Sequence, residues 1–130
     1  MEQIFTFLKN CRPYYLATMD GDQPRVRPFG TIDIFEGRLY IQTAKSKLVS
    51  EQIKRHPKIE LCGMHAGKWI RVSAELELDT RFEPQQQMLD AYPHLKKKYQ
   101  PNDGNNEVFF LKNGTATISS FLDDPVTITF

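Results

Sequence analysis

Apolar positions recur first at helical spacing and then, over most of the chain, at a spacing of two. Across residues 2–11, Ile4, Phe5 and Leu8 share a face with Phe7 and Cys11 beside them, and Arg12-Pro13 ends the pattern; this predicts a short amphipathic helix. Residues 14–19 are short and aromatic, and Asp20-Gly21-Asp22 behind them is a turn signal. A second strand is expected from about Arg25 to Phe35, then a turn at Glu36-Gly37 and an alternating strand over 38–43. Three strands joined by tight turns predict an antiparallel meander. From Lys47 the period lengthens: Leu48, Val49, Gln52 and Ile53 fall on one helical face that Pro57 ends.

Residues 58–66 read as a strand, Gly67-Lys68 as a turn, and 69–80 as the most regular strand in the chain. There Ile70, Val72, Ala74, Leu76 and Leu78 alternate with Arg71, Ser73, Glu75, Glu77 and Asp79, so one face is core and the other wet. Residues 83–99 are helical in composition with a break at Pro93, and 101–106 form a polar loop. Asn113-Gly114 between 108–111 and 115–121 predicts a hairpin, and 126–130 a last short strand. Seven or eight strands with two or three helices predict a mainly β fold with flanking α-helices, a closed or nearly closed antiparallel barrel in one domain spanning 1–130.

Composition narrows the partners. A hydrophobic share of 40% and a charged share of 25% suit a globular protein and exclude a long disordered chain. Seventeen Lys and Arg against 16 Asp and Glu give a net charge of +1, which argues against nucleic acid or an anionic membrane as partner, so any anion is bound locally. No apolar run approaches the ~20 residues of a membrane span, and the amino terminus lacks the apolar stretch of a secretion signal. Cys11 and Cys62 are too few for a disulfide scaffold and fit a reduced, cytoplasmic compartment.

Two segments carry anion-binding chemistry. In Arg25-Val26-Arg27-Pro28 the two guanidinium groups share a strand face roughly 7 Å apart and can converge on one anion; they can equally be a solvated face paired with Asp33 and Glu36. Pro28 restricts that strand to an edge or a bulge. In Thr43-Ala44-Lys45-Ser46-Lys47, a strand-to-helix junction, free amides, the hydroxyls of Thr43 or Ser46 and the ammonium groups of Lys45 and Lys47 describe a phosphate site, although Ser46 can serve as a plain N-cap. Pairing across Glu36-Gly37 would bring the two segments together. Cys62-Gly63-Met64-His65 has no second ligand pair at zinc spacing, so no metal site is expected. Tyr40, Trp69 and Phe121 are candidate aromatic walls or core residues.

The order of RVRPFG, GRLYIQTAKSK, a helix, WIRVSAELEL and FFLKNGTATISSF resembles the pyridoxamine 5′-phosphate oxidase-like family of FMN-binding split β-barrels, over nearly the whole chain. The resemblance implies an antiparallel split β-barrel that forms a homodimer with FMN at the subunit interface. It further implies that Arg25 and Lys47 neutralise the FMN phosphate with a hydrogen bond from Ser46. Val26, Arg27 and Pro28 would run along the isoalloxazine edge, and Thr43 would sit near the ring or ribityl chain. The chain lacks the carboxy-terminal substrate-binding extension of true pyridoxamine phosphate oxidases, so another substrate is expected. The implied activity is that of an NAD(P)H-linked flavin oxidoreductase acting on a small molecule, with the chemistry residing in the cofactor. The rival readings are a flavin-binding electron-transfer or storage module, and a flavin-free barrel that binds an oligonucleotide or a protein partner.

Overall fold

The computed structural model covers residues 1–130. Helix α1 (Glu2–Asn10) precedes β1 (Tyr14–Asp20), β2 (Gln23–Phe29), β3 (Asp33–Phe35), β4 (Arg38–Ala44), α2 (Leu48–Arg55), β5 (Lys58–His65) and β6 (Lys68–Asp79). Helix α3 (Phe82–Ala91), a 3₁₀ helix (Pro93–Lys97), β7 (Asn106–Ser119) and β8 (Val126–Thr129) complete the chain. The strands form one antiparallel sheet in the order β2-β1-β5-β6-β7-β4-β3, with β8 added to β7. This is the mainly β antiparallel barrel with flanking helices that the alternation predicts, in the split form that the family resemblance implies.

Two local expectations are corrected. The run from Arg25 to Phe35 is two strands: β2 pairs with β1 (Ala17↔Val26), whereas β3 pairs with β4 (Ile34↔Leu39). Only residues 30–32 separate them, yet they lie at opposite ends of the sheet order. The sheet therefore curls so that its two edge strands are joined by the chain itself across a seam that carries no ladder. Alternation reports which side chains turn inward, but it is blind to a change of ladder partner inside a run. Side chains hold the seam: Thr31 Oγ1 accepts the Gln42 N–H at 3.0 Å, and the Tyr14 hydroxyl donates to the Thr31 carbonyl.

Asn113-Gly114, the second correction, makes no hairpin. Strand β7 runs straight through it, with a register shift opposite Ser73 and Glu75 on β6. Asn113 has φ of 52°, the left-handed conformation that Asn tolerates, and a bulge uses it as readily as a turn does. Gly114 exchanges backbone hydrogen bonds of 2.8 and 2.9 Å with Phe130, whose ring occupies the space of any added Cβ.

Inside the barrel, Ile70, Val72, Ala74 and Leu76 of β6 pack with Leu16, Ile41, Ile59, Leu61 and Phe109 in a core of 21 buried residues, sealed by Ile4 and Leu8 of α1 and Val49 and Ile53 of α2. A second cluster, Tyr40, Met88, Val108 and Phe110, lies beneath α3. That helix is anchored at its start by Asp79, whose carboxylate accepts from the Arg81 backbone N–H (3.0 Å), the Arg81 guanidinium (2.9 Å) and the Tyr40 hydroxyl (2.7 Å). Hydrogen bonds from Arg81 lead in lowering the Asp79 pKa to about 2, against the opposing effect of burial.

A depressed carboxylate pKa stabilises the fold above the unfolded-state pKa and loses that contribution as pH falls through the folded one. Acidification from about pH 5 toward pH 2 is therefore expected to remove on the order of 2 kcal/mol through Asp79. Asp79→Asn should be less stable at neutral pH and show a flatter stability profile in that window. Urea unfolding at stepped pH measures it, and parallel profiles for the two proteins would refute the assignment.

Candidate functional site

The barrel seam opens into a cavity of about 650 Å³, within the usual range for small-molecule sites. Its floor is Pro28, Phe29, Gly30 and Thr31 at the β2–β3 crossing, facing Gln42 and Thr43 at the end of β4. Lys47 enters from the start of α2. The roof comes from the end of α1 (Lys9, Arg12) and from Tyr92, His94 and Leu95 beyond α3. The Tyr92 hydroxyl fixes this roof to the floor: it accepts the Ile32 N–H and donates to the Ile32 carbonyl, both at 3.0 Å.

Thr43 is buried, lines this cavity, and its Oγ1 is the one buried side-chain polar atom with no hydrogen-bond partner. Such a group costs free energy unless a ligand satisfies it. Pro28, Thr43 and Lys47 are thus brought together from three segments.

The other sequence-derived candidates lie around this centre. Arg25 is exposed and paired with Asp20 at 3.2 Å, within the β1–β2 hairpin. Arg27 shares its strand face but is half-buried and committed: it donates to the Leu16 carbonyl (3.1 Å), Thr18 Oγ1 (2.7 Å) and Gln52 Oε1 (2.9 Å). Desolvation, then the neighbouring Arg25 charge, lowers its pKa. Val26 stands 69% exposed on the outer face of the sheet. Pro24 and Pro28 lie on the free edge strand, where a missing N–H is tolerated.

At the β4–α2 junction the amides are already engaged. Lys45 N–H donates to the Asn105 carbonyl (2.7 Å), Ser46 N–H to Asn105 Oδ1 (3.0 Å) and Lys47 N–H to the Ala44 carbonyl (3.0 Å). Lys47, rather than Ser46, occupies the N-cap position, and no side chain caps the helix. The side chains of Lys45, Ser46 and Lys47 are exposed, so cationic and hydroxyl groups rather than free amides define this corner. Arg25 and Thr43 are not joined across Glu36-Gly37: Arg25 pairs with Thr18, and Thr43 with Glu107.

Sequence reasoning missed the roof. Lys9, Arg12 and His94 carry no shared local motif, and only the folding of α1 and the α3–3₁₀ corner onto the seam brings them together. None of the three proposed aromatic walls lines the cavity. Tyr40 is buried under α3, and its pKa is raised to about 12 by burial and then by its hydrogen bond to Asp79. Trp69 packs at a tilt of 59° against the exposed Phe121, with a ring distance of 5.2 Å, on the β6–β7 side of the sheet.

The architecture is a split antiparallel barrel with a basic cavity at its seam. The profile of the pyridoxamine 5′-phosphate oxidase family matches residues 1–111, and the chain belongs to that family. It is 40% identical to a NimC/NimA family protein from Clostridium acetobutylicum, over 100% of this chain and 92% of that one, with a TM-score of 0.96. General stress protein 26 from Bacillus anthracis shares the fold at 17% identity and a TM-score of 0.78, covering 99% and 97% of the two chains. A heme binding protein from Mycobacterium smegmatis shares it at 13% identity and a TM-score of 0.77; there the match covers 98% of this chain and 57% of that one. No curated protein matches the chain. No helix is long and apolar enough to cross a membrane.

Proposed function

We propose that the seam cavity binds FMN and that the protein is a flavin-dependent oxidoreductase, passing electrons from NADH or NADPH to a small-molecule acceptor. The observation that carries this reading is the unpartnered, buried Thr43 hydroxyl in a cavity that also gathers Pro28 and Lys47. Thr43 would satisfy its hydroxyl on the ribityl chain or ring, and Lys47, with Lys45 and Ser46 beside it, would hold the phosphate. The backbone of Val26, Arg27 and Pro28 would border the isoalloxazine, with Arg25 adding positive charge at the rim. Bound FMN supplies the hydride and electron chemistry, so the chain's task is to bind, orient and exclude water.

A homodimer belongs to the same proposal. Tyr15, Val26 and Met64 stand 46%, 69% and 69% exposed on the outer face of adjacent strands β1, β2 and β5, a patch suited to a second copy. Covering Val26 would also enclose the flavin edge beside Pro28.

A purified protein that absorbs near about 450 nm and releases FMN is expected. NADH or NADPH under anaerobic conditions should bleach that band within minutes, and light scattering should give a dimer. Failure to bind added FMN would refute the flavin reading, and a heme spectrum in its place would assign the cavity to the other cofactor found among proteins of this fold. Flavin that neither nicotinamide reduces would favour an electron carrier.

The orphaned hydroxyl gives a signed prediction. Thr43→Val removes an unsatisfied buried group at nearly constant volume, so the flavin-free protein should gain about 1 kcal/mol while FMN affinity falls. Thermal melts with and without FMN check both signs, and equal loss of stability in the two states would mean that Thr43 is merely structural.

A further inference from the structure

The corner that offers cations to the seam cavity does not hold its own shape. Residues 45–47 carry three exposed side chains, and no side chain caps the helix that follows. Local bonding is limited to the Lys47 N–H on the Ala44 carbonyl (3.0 Å) and the Ser50 N–H on the Lys47 carbonyl (3.1 Å). The distant anchor is Asn105, 59 residues beyond Ser46. Its carbonyl accepts the Lys45 N–H at 2.7 Å, and its Oδ1 accepts the Ser46 N–H at 3.0 Å.

Asn105 is itself fixed. Asp103 Oδ1 accepts the N–H groups of Asn105 (2.8 Å) and Asn106 (2.6 Å), and its Oδ2 accepts that of Gln100 (2.9 Å). Asn102 and Gly104 on either side have φ of 56° and 82°, the left-handed conformation that Asn and Gly tolerate in a tight turn. The Asp103 carboxylate is thus spent on its own turn, and the side chain that reaches the corner is a neutral amide. An aspartate at that position could accept the same N–H, but its charge would oppose any anion drawn to Lys45 and Lys47. The body of α2 is tied separately, by Glu107, which accepts from the Ser50 hydroxyl at 2.5 Å and the Lys54 ammonium at 2.6 Å. Losing the Asn105 side chain therefore loosens the corner and leaves the helix in place.

We propose that Asn105, held by Asp103, is a positioning residue for the phosphate-binding corner, and that this clamp sets the preference for a phosphorylated flavin over the same flavin without its phosphate. The proposal rests on the flavin reading above and deepens it. With residues 45–47 ordered on folding, binding the phosphate does not have to meet that entropy cost.

The test compares dissociation constants of FMN and riboflavin, measured by quenching of flavin fluorescence on flavin-free protein. Riboflavin lacks only the phosphate, so a merely structural role moves both constants together. Asn105→Ala and Asp103→Ala are each expected to weaken FMN binding about tenfold and to change riboflavin binding by less than about twofold. Gln87→Ala removes amide bonds to Asp33 and the Ile34 carbonyl instead and should leave the ratio as in the parent. Asn105→Asp keeps both acceptors and so the fold; it should bind riboflavin like the parent and FMN more weakly, with a loss that shrinks as salt is added. Circular dichroism checks that each variant is folded. An unchanged ratio in Asn105→Ala or Asp103→Ala overturns the proposal, as do an equal fall in Gln87→Ala and parental FMN affinity in Asn105→Asp. A parent that binds FMN and riboflavin equally overturns the clamp and keeps the flavin reading. A parent that binds neither flavin, yet binds inorganic phosphate by phosphorus NMR more tightly than Asn105→Ala does, keeps the clamp and loses the flavin reading. Binding of neither flavin nor phosphate overturns both.

Discussion

Phe109→Ala is expected to destabilise the flavin-free protein by about 3–5 kcal/mol, the range for truncating a buried phenylalanine. Phe109 is 1% exposed on β7, the strand paired with β6, β4 and β8. Its register neighbours are Ile41 and Leu78, so the lost ring leaves a void between strands that cannot close without breaking two ladders. Urea unfolding followed by far-ultraviolet circular dichroism measures the loss. Phe121→Ala, at 92% exposure, is the control and should change stability by less than about 0.5 kcal/mol. Equal effects of the two substitutions would place the core elsewhere.

Lys47→Ala is expected to weaken FMN binding by about 1–3 kcal/mol, the scale of a charge-assisted hydrogen bond. Lys47 lines the cavity and has no carboxylate within ion-pair distance, so its charge is available to a phosphate. Arg25 differs, since its guanidinium is paired with Asp20 and both side chains are about half exposed. Arg25→Ala should therefore cost less than Lys47→Ala. Fluorescence titration of FMN into each variant gives the order. Unchanged affinity in both would put the phosphate elsewhere, and a larger loss at Arg25 would mean that Asp20 releases it on binding.

Much of the site's periphery was legible because it is local. The helical period over 48–53 places Val49 and Ile53 in the core, which leaves Lys47 at the helix start. Pro28 marked an edge strand, and β2 is one. The shared face of Arg25 and Arg27 follows from their spacing, but their fates do not. Arg27 is drawn under α2 to Gln52, 25 residues away, and so supports the wall rather than presenting its guanidinium to the cavity.

The sequence by itself determined most of the elements, the buried faces and the family, because hydrophobic period and turn residues act over a few neighbours. Only the tertiary structure decided that β2 and β3 part at Gly30 to close a barrel, that Asn113-Gly114 shifts the register of a continuous strand instead of ending it, and that Lys9, Arg12 and His94 roof the cavity of Thr43 and Lys47. The physical reason is common to all three. Each depends on which distant segment satisfies a backbone ladder or faces a charge, and alternation and spacing read the same whichever partner arrives.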